Sequence, residues 1–530
     1  MLVVLLVPGW LTPSAPRATA TIEPTNAAQV SPDATADLQP TPDRPRRTPI
    51  GTTEPTPAQP SPSQPAVDVR PVEMPFVPVV GFWSTESSIA REQLAGALAG
   101  RVSRFASVVV SAGDEEAIGR ALGAALGPAV RSGTAAEIRQ AVSGGALGVM
   151  RAIDVTPAVH ALAIDGLSLF GNARVAGVED WPLVATVDAS SEWHQAATWT
   201  LVAAGDILLD RGVARQVTIL GKGVDFPFDG GEARITRLRC CSQFGYEYPL
   251  TQRTGNRGAM RDMLSGADIS MANLESGILE NAPFHDRGFT FTGDARLLTG
   301  IDNAGIDFLS LANNHIGNGG RRGIITAMRE LDQLGIAHGG AGLDDEAAAQ
   351  PAYLDVNDYT LAVLPCDAIA PRYWARADRT GAQSCRAESL VEQIRNAAAA
   401  ADVVVIFPHW GREYRARPVN YQRAMAADWV EAGADLVIGA HSHWAGAIED
   451  IDGSLVFYSL GNFVFDQSFS QPTMMGVVLE LTFAGGDLAQ AWLHPTLILD
   501  QAQPNFADPK GDGEFVIDQM RAGSEGLLGY

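Results

Sequence analysis

A mostly parallel α/β sheet is the architecture that this 530-residue sequence predicts, and two observations predict it. The first lies between residues 402 and 467. An apolar run at 403–407 ends in Pro408-His409-Trp410-Gly411, and a helical stretch then puts Tyr421, Met425, Trp429 and Val430 on one face. A second apolar run at 436–438 ends in Gly439-Ala440-His441-Ser442-His443. Strand, crossover helix and strand make a βαβ unit, whose strands run parallel. The second observation is that three earlier apolar runs end in the same fashion. Residues 199–204 lead into Gly205-Asp206, residues 267–272 into Asn273-Leu274-Glu275, and residues 307–312 into Asn313-Asn314-His315. In such a sheet the carboxyl ends of the strands gather on one rim, where ligands collect.

Length and composition bound the reading. The chain is long enough for two or three domains, and a hydrophobic content of 46% fits globular cores. No apolar run approaches the roughly 20 residues that span a bilayer, so no transmembrane domain is expected in the mature chain. A net charge of -23 argues against nucleic acid as a partner, because phosphates would be repelled. The opening MLVVLLVPGWL reads as the apolar core of a signal peptide over 1–20, with Ala18-Thr19-Ala20 as a cleavage site but no basic residue before it. Export to the cell surface is the expectation. The four cysteines fit that compartment: Cys366 and Cys385 flank one segment and can pair, whereas adjacency argues against pairing of Cys240 with Cys241.

Residues 21–76 are rich in Pro, Thr, Ala, Ser and Gln, lack apolar periodicity, and read as a disordered tether. Residues 77–190 read as a smaller α/β domain. It has a strand at 107–111, a helix opened by Asp114-Glu115-Glu116, a second helix capped by Thr134 and Glu137, and a strand at 161–164. Its AIDGLSLFG and DWPLVAT stretches resemble one lobe of periplasmic solute-binding proteins, although an accessory domain is the preferred reading. The main domain runs over 195–500, with closing strands at 476–483 and 491–499. Residues 501–530 form a tail with a short helix around Phe515, Ile517 and Met520.

Asp206, Glu275, Asn314, His315, His409, His441 and His443 therefore converge on one rim. Imidazoles with carboxylates and an amide oxygen suit one or two divalent ions of the Mn, Fe or Zn kind. A bridging carboxylate holds two such ions roughly 3.5–4 Å apart. His160, His194, His285, His338 and His494 stand outside this pattern and read as structural. Trp410 and Trp444 either wall the site or pack beside it.

In order, GDILLDR, ANLE, SLANNH, PHWGREY, GAHSH and YSLGNFVFD resemble the CapA family of capsule and poly-γ-glutamate synthesis, within the calcineurin-like metallophosphoesterase superfamily. The resemblance covers about 198–500. It implies a four-layer α/β/β/α sandwich with the site on one edge. It also implies metal ligation by Asp206, Glu275, Asn314, His409, His441 and His443, with Glu275 in the bridging place and His315 as general acid. Glu413 fits a further family position; Arg211, Arg412 and Asn462 read as substrate contacts beside it, with a solvated basic edge as the alternative for the arginines. The implied partner is an anionic cell-envelope polymer or its precursor, handled by a metal-dependent hydrolase or transferase. A non-catalytic polymer-binding or assembly protein is the alternative. Two positions depart from the superfamily's pattern. Leu208 stands where many members carry a histidine, and Asn318 stands where the family tends to carry aspartate.

Overall fold

Alternation along the apolar runs decides how the sheets are covered. The structure, a computed structural model, describes residues 69–101 and 104–530, which fall within one compact unit, Val67–Tyr530. The expected signal segment and the tether up to residue 68 lie outside the described residues.

The first sheet is built on Arg70–Gly81, so the chain is already a strand six residues before the expected end of the tether. Arg70–Gly81 pairs antiparallel with Leu147–Arg151, Val159–Ala161 and Val184–Ala189. Val108–Ser111 runs parallel to Arg131–Gly133 and Leu147–Arg151. The Thr134–Glu137 capping box forms: the Thr134 side chain accepts from the Glu137 N–H and the Glu137 carboxylate accepts from the Thr134 N–H. Phe76, Val77, Ile118, Ile138 and Leu147 share this sheet's own core.

His160 joins the first sheet to the second. Its Nε2–H donates to the Ala491 carbonyl at 2.9 Å, and its ring stacks on Trp492 at 4.3 Å. Nδ1 is buried without a partner, and burial pushes the imidazole down to about 4. The unfolded chain therefore takes up this proton as pH falls from about 6.5, and the folded chain only near 4. Stability from this group is complete above pH 6.5 and is lost on acidification towards 4, by on the order of 3 kcal/mol. Denaturant titrations at pH 7.5 and 4.5 are expected to show that His160→Gln loses that much less stability between the two pH values than the parent does.

The next sheet is centred on Thr198–Ile207, with Ile269–Leu274, Phe308–Ser310 and Ala337–Gly339 following in parallel on one side. Met475–Ala484, Asp487–Leu499, Gln503–Ala507 and the hairpin Glu232–Arg239/Tyr248–Gly255 continue it on the other side. The last sheet runs Ala352–Val356, Tyr359–Asp367, Val403–His409, Leu436–Ile438, Ser454–Phe457, Ile448–Ile451, and its four middle strands are parallel. Successive residues face opposite sides of a strand. Leu201 and Ala203 accordingly meet Val403, Val405 and Phe407 in one core. Val202 and Ala204 pack with Leu298, Ile324 and Leu331 of helices, and Val404 and Ile406 with Leu390, Ile394 and Trp429 of other helices.

The expected boundary at 500 falls inside this architecture. Gln503–Ala507 inserts between two strands of the sheet, and Glu514–Gly523 buries Val516, Ile517 and Met520 in the shared core. Cys366 and Cys385 are joined. Cys240 and Cys241 are joined to each other, against the expectation from their adjacency.

Candidate metal centre

Each expected ligand sits at or just past the carboxyl end of a parallel strand. Asp206 is on Thr198–Ile207, Glu275 follows Ile269–Leu274, Asn314 and His315 follow Phe308–Ser310, His409 closes Val403–His409, and His441 and His443 follow Leu436–Ile438. The glycine before Asp206 is needed: a Cβ there would lie 1.9 Å from the Gly461 carbonyl oxygen. His441 and His443 both have left-handed backbones, with φ of 91° and 57°. Non-glycine residues hold that conformation only where the surroundings impose it, most often at functional sites.

The structure brings these side chains together in two sets. Glu275, His409 and His441 place one ligand atom each within 4.8 Å of one another, as do Asp206, Glu275 and His443. Glu275 belongs to both. His409 Nε2 lies 2.8 Å from Asn314 Oδ1, 3.1 Å from His441 Nδ1 and 3.6 Å from Glu275 Oε1. Two ligands about 2.1 Å from a shared ion sit roughly 3.0–3.4 Å apart in tetrahedral or octahedral arrays, and the observed spacings bracket that range.

The electrostatics favour a cation. Glu275 is fully buried and neither carboxylate oxygen has a hydrogen-bond partner. Burial, then Asp206 and Glu413, hold its carboxyl well above the usual range. Burial and the neighbouring histidines push His409 well below the usual imidazole range, and His441 likewise. A carboxylate with bare oxygens among neutral imidazole lone pairs is a donor set that a divalent ion completes. The residues present fit such an ion.

Several residues to which the sequence assigns no ligand role support the site. Asn273 Nδ2 donates to Asp206 Oδ1 at 2.8 Å and lies 3.3 Å from His409 Nδ1, so one amide ties two ligands together. Asn313 reaches Asn273 and the Leu274 carbonyl. Phe291 stacks on His315 at 3.8 Å. Leu208, at the place of the absent histidine, packs with Phe291 and Phe465, so this side presents apolar surface. Asp367 is buried opposite His409 in register, but its carboxylate accepts from Ile369 N–H, Ala370 N–H and Trp374 Nε1–H. Trp410 packs: it is fully buried and stacked on Trp429 and Tyr458.

His315 stands 3.7 Å from Glu275 Oε1 through Nε2. The Phe291 N–H donates to Asn318 Oδ1 at 2.7 Å, which makes that atom the amide oxygen. The same oxygen accepts from His315 Nδ1–H at 2.8 Å, and Asn318 Nδ2 donates to Tyr373 Oη at 3.1 Å. The neutral ring is thus protonated at Nδ1 and turns a lone pair on Nε2 towards Glu275. Burial lowers His315 to about 4.

The expected substrate contacts divide. Arg412 and Glu413 are exposed on the loop after His409. Asn462 is 1% exposed and fully engaged: Oδ1 accepts from His443 Nδ1–H at 2.9 Å, and Nδ2 donates to the Thr473 carbonyl and Gln467 Oε1. It orients His443 and has no group left for a substrate. Arg211 pairs with Asp466, donates to the Gly288 carbonyl and lies over the Phe291 ring at 4.5 Å.

The site falls inside a segment that resembles known proteins. Residues 200–467 match the family described as "Bacterial capsule synthesis protein PGA_cap". "Capsule biosynthesis protein CapA" of Bacillus anthracis is 30% identical over 217 residues, 39% of this chain and 53% of that protein. "PGA biosynthesis protein CapA" of Bacillus subtilis is 35% identical over 165 residues, 31% of this chain and 43% of that protein. The chain thus spans about half the length of these relatives. With half of its own length matched, and every residue of the candidate centre inside the match, the chain belongs to the bacterial capsule synthesis family PGA_cap.

Proposed function

We propose that this chain is an exported, metal-dependent hydrolase or transferase acting on an anionic cell-envelope polymer of the capsule or poly-γ-glutamate type, or on its precursor. The observation that carries this reading is Glu275, buried with both oxygens unpartnered and shared by the two ligand sets. The names of the relatives support the polymer. The three cores that separate the two large sheets from each other and from their helices support an α/β/β/α sandwich over about 195–500, preceded by an accessory α/β domain. Among the described residues no helix is long and apolar enough to cross a membrane.

Asp206, Glu275, Asn314, His409, His441 and His443 would hold one or two ions of the Mn, Fe or Zn kind, supplying Lewis-acid activation and charge neutralisation. Glu275 would neutralise cationic charge between the two sets, and Asn462 fixes the ring of His443. His315, unprotonated at Nε2 near neutral pH, receives a proton at that atom; this makes it a base in its resting state, not the acid the family resemblance implies. Asn318 also favours a second reading, in which the cleft binds polymer without turnover. An amide cannot stabilise an imidazolium as a carboxylate does.

Elemental analysis is expected to find Mn, Fe or Zn in the parent and none in His441→Ala/His443→Ala. With phosphate esters and γ-glutamyl peptides as substrates, turnover is expected to fall by about 100-fold or more in His315→Ala. A parent that takes up no metal on loading overturns the metal reading. Polymer binding without turnover selects the second.

A further inference from the structure

We infer that the hairpin Glu232–Arg239/Tyr248–Gly255 is a polymer-binding arm that guides an anionic chain to the metal centre; this rests on the polymer reading above and adds a location to it. Three observations carry it.

The first is charge. The sequence carries -23 overall, yet this hairpin holds Arg234, Arg237, Arg239 and Arg253. Arg234 bonds Gln252, and Arg253 is tied to Asp500 and Gln503. Arg237 and Arg239 are exposed and pair with no carboxylate among the described residues. They stand two apart on one strand, so both point to the same face, in register with Leu250 and Tyr248.

The second is an aromatic connection from the hairpin to the site. Phe244 and Tyr246, at the tip, are 60% and 41% exposed, an unusual position for two neighbouring large rings. Both lie against Phe469, with ring centroids at 4.9 and 6.1 Å. Phe469 meets Tyr414 at 5.6 Å, and Tyr414 meets His443 at 6.1 Å. The Gln471 N–H also donates to the Glu247 carbonyl, which anchors the hairpin to the segment behind Asn462.

The third is the far end of that connection. Tyr414 sits in the loop that exposes Arg412, Arg415 and Arg417, none of them ion-paired among the described residues. Glu413, Glu247 and Glu232 are carboxylates along the strip; Glu232 accepts from Asn256, and Asp512 beside the strand accepts from the Ile235 N–H. Two sets of free guanidinium groups, joined by aromatic rings that end on a metal-site histidine, fit an extended polycarboxylate. Arginine binds carboxylates through paired N–H donors, and the rings cover the methylene segments between them. A second copy of this chain, itself strongly acidic, would bring no such repeating array.

The test uses the metal-loaded full chain and an end-labelled poly-γ-glutamate of about 30 residues, read by anisotropy at low and moderate salt. Arg237→Gln/Arg239→Gln and Phe244→Ala/Tyr246→Ala are compared with the parent, with metal content and thermal midpoint recorded for each. Both variants are expected to keep metal and midpoint. Each should weaken polymer binding by about tenfold, with the arginine variant also losing salt sensitivity. Equal affinity in parent and variants overturns the arm and leaves the polymer reading standing. A parent that binds no polymer overturns both. Binding of phosphatidylglycerol vesicles that depends on Arg237 and Arg239, in place of polymer binding, overturns the arm as a polymer site.

Discussion

Replacing Glu275 with glutamine is expected to abolish metal loading while leaving the fold intact. The side chain is the one ligand common to both sets, and its two oxygens have no hydrogen bond that the substitution would break. In the empty protein the buried carboxyl is held well above its usual range by burial and by Asp206, so a neutral amide of the same shape replaces a group already costly to ionise. The unloaded variant should therefore melt within about 1 kcal/mol of the unloaded parent. Adding Mn2+ at about 100 times the parent's dissociation constant should stabilise the parent by roughly 2.7 kcal/mol and the variant by no more than about 0.4 kcal/mol. Metal affinity, measured by calorimetric titration, should fall by at least about 100-fold, beyond what loss of a ligand's supporting residue produces. A variant that still binds metal stoichiometrically would show that Glu275 is a buried acid outside the coordination set.

Asn318→Asp is the second large effect. Asn318 Oδ1 accepts from both the Phe291 N–H and His315 Nδ1–H, and an aspartate oxygen can accept from both. Tyr373 Oη, now an acceptor from Nδ2, would turn to donate. A carboxylate in place of the amide favours the imidazolium, so the His315 midpoint should rise from about 4 by at least a unit, roughly 1.4 kcal/mol. The sign for activity follows from the proton. With His315 as base, the parent needs Nε2 free and should hold its rate down to about pH 5, whereas the variant should lose rate as pH falls through its raised midpoint. NMR titration of the His315 ring gives the midpoint, and the pH dependence of kcat gives the role. A variant faster than the parent at pH 6 would make His315 the acid and reverse the assignment.

Much of the site was legible because each ligand follows an apolar strand directly. Local alternation identifies the strand, and the polar residue that ends it must lie on the rim; Asp206, Glu275, His409 and His441 were found that way. The disagreements are of another kind. Asn462 was expected at the substrate and instead orients His443. Arg211 was expected to hold an anion, but Asp466, 255 residues away, already occupies it. A spare polar group and a committed one have the same letter in a sequence. The chain beyond 500 reads as a tail because Gln503–Ala507 is short, and its place is set by the two strands it joins.

The sequence by itself determined the parallel strands that carry the site, the polar residues that end them and the capping of the Thr134 helix, because strand alternation, strand ends and caps are read within a few residues. Only the tertiary structure decided that Glu275 is common to both candidate sets, that Asn273 joins Asp206 to a histidine 136 positions beyond Asn273 itself, and that Phe244 and Tyr246 reach the site through Phe469. Those contacts join residues on different sheets and loops. No periodicity records them, and they exist only once burial of the shared core has brought the two rims together.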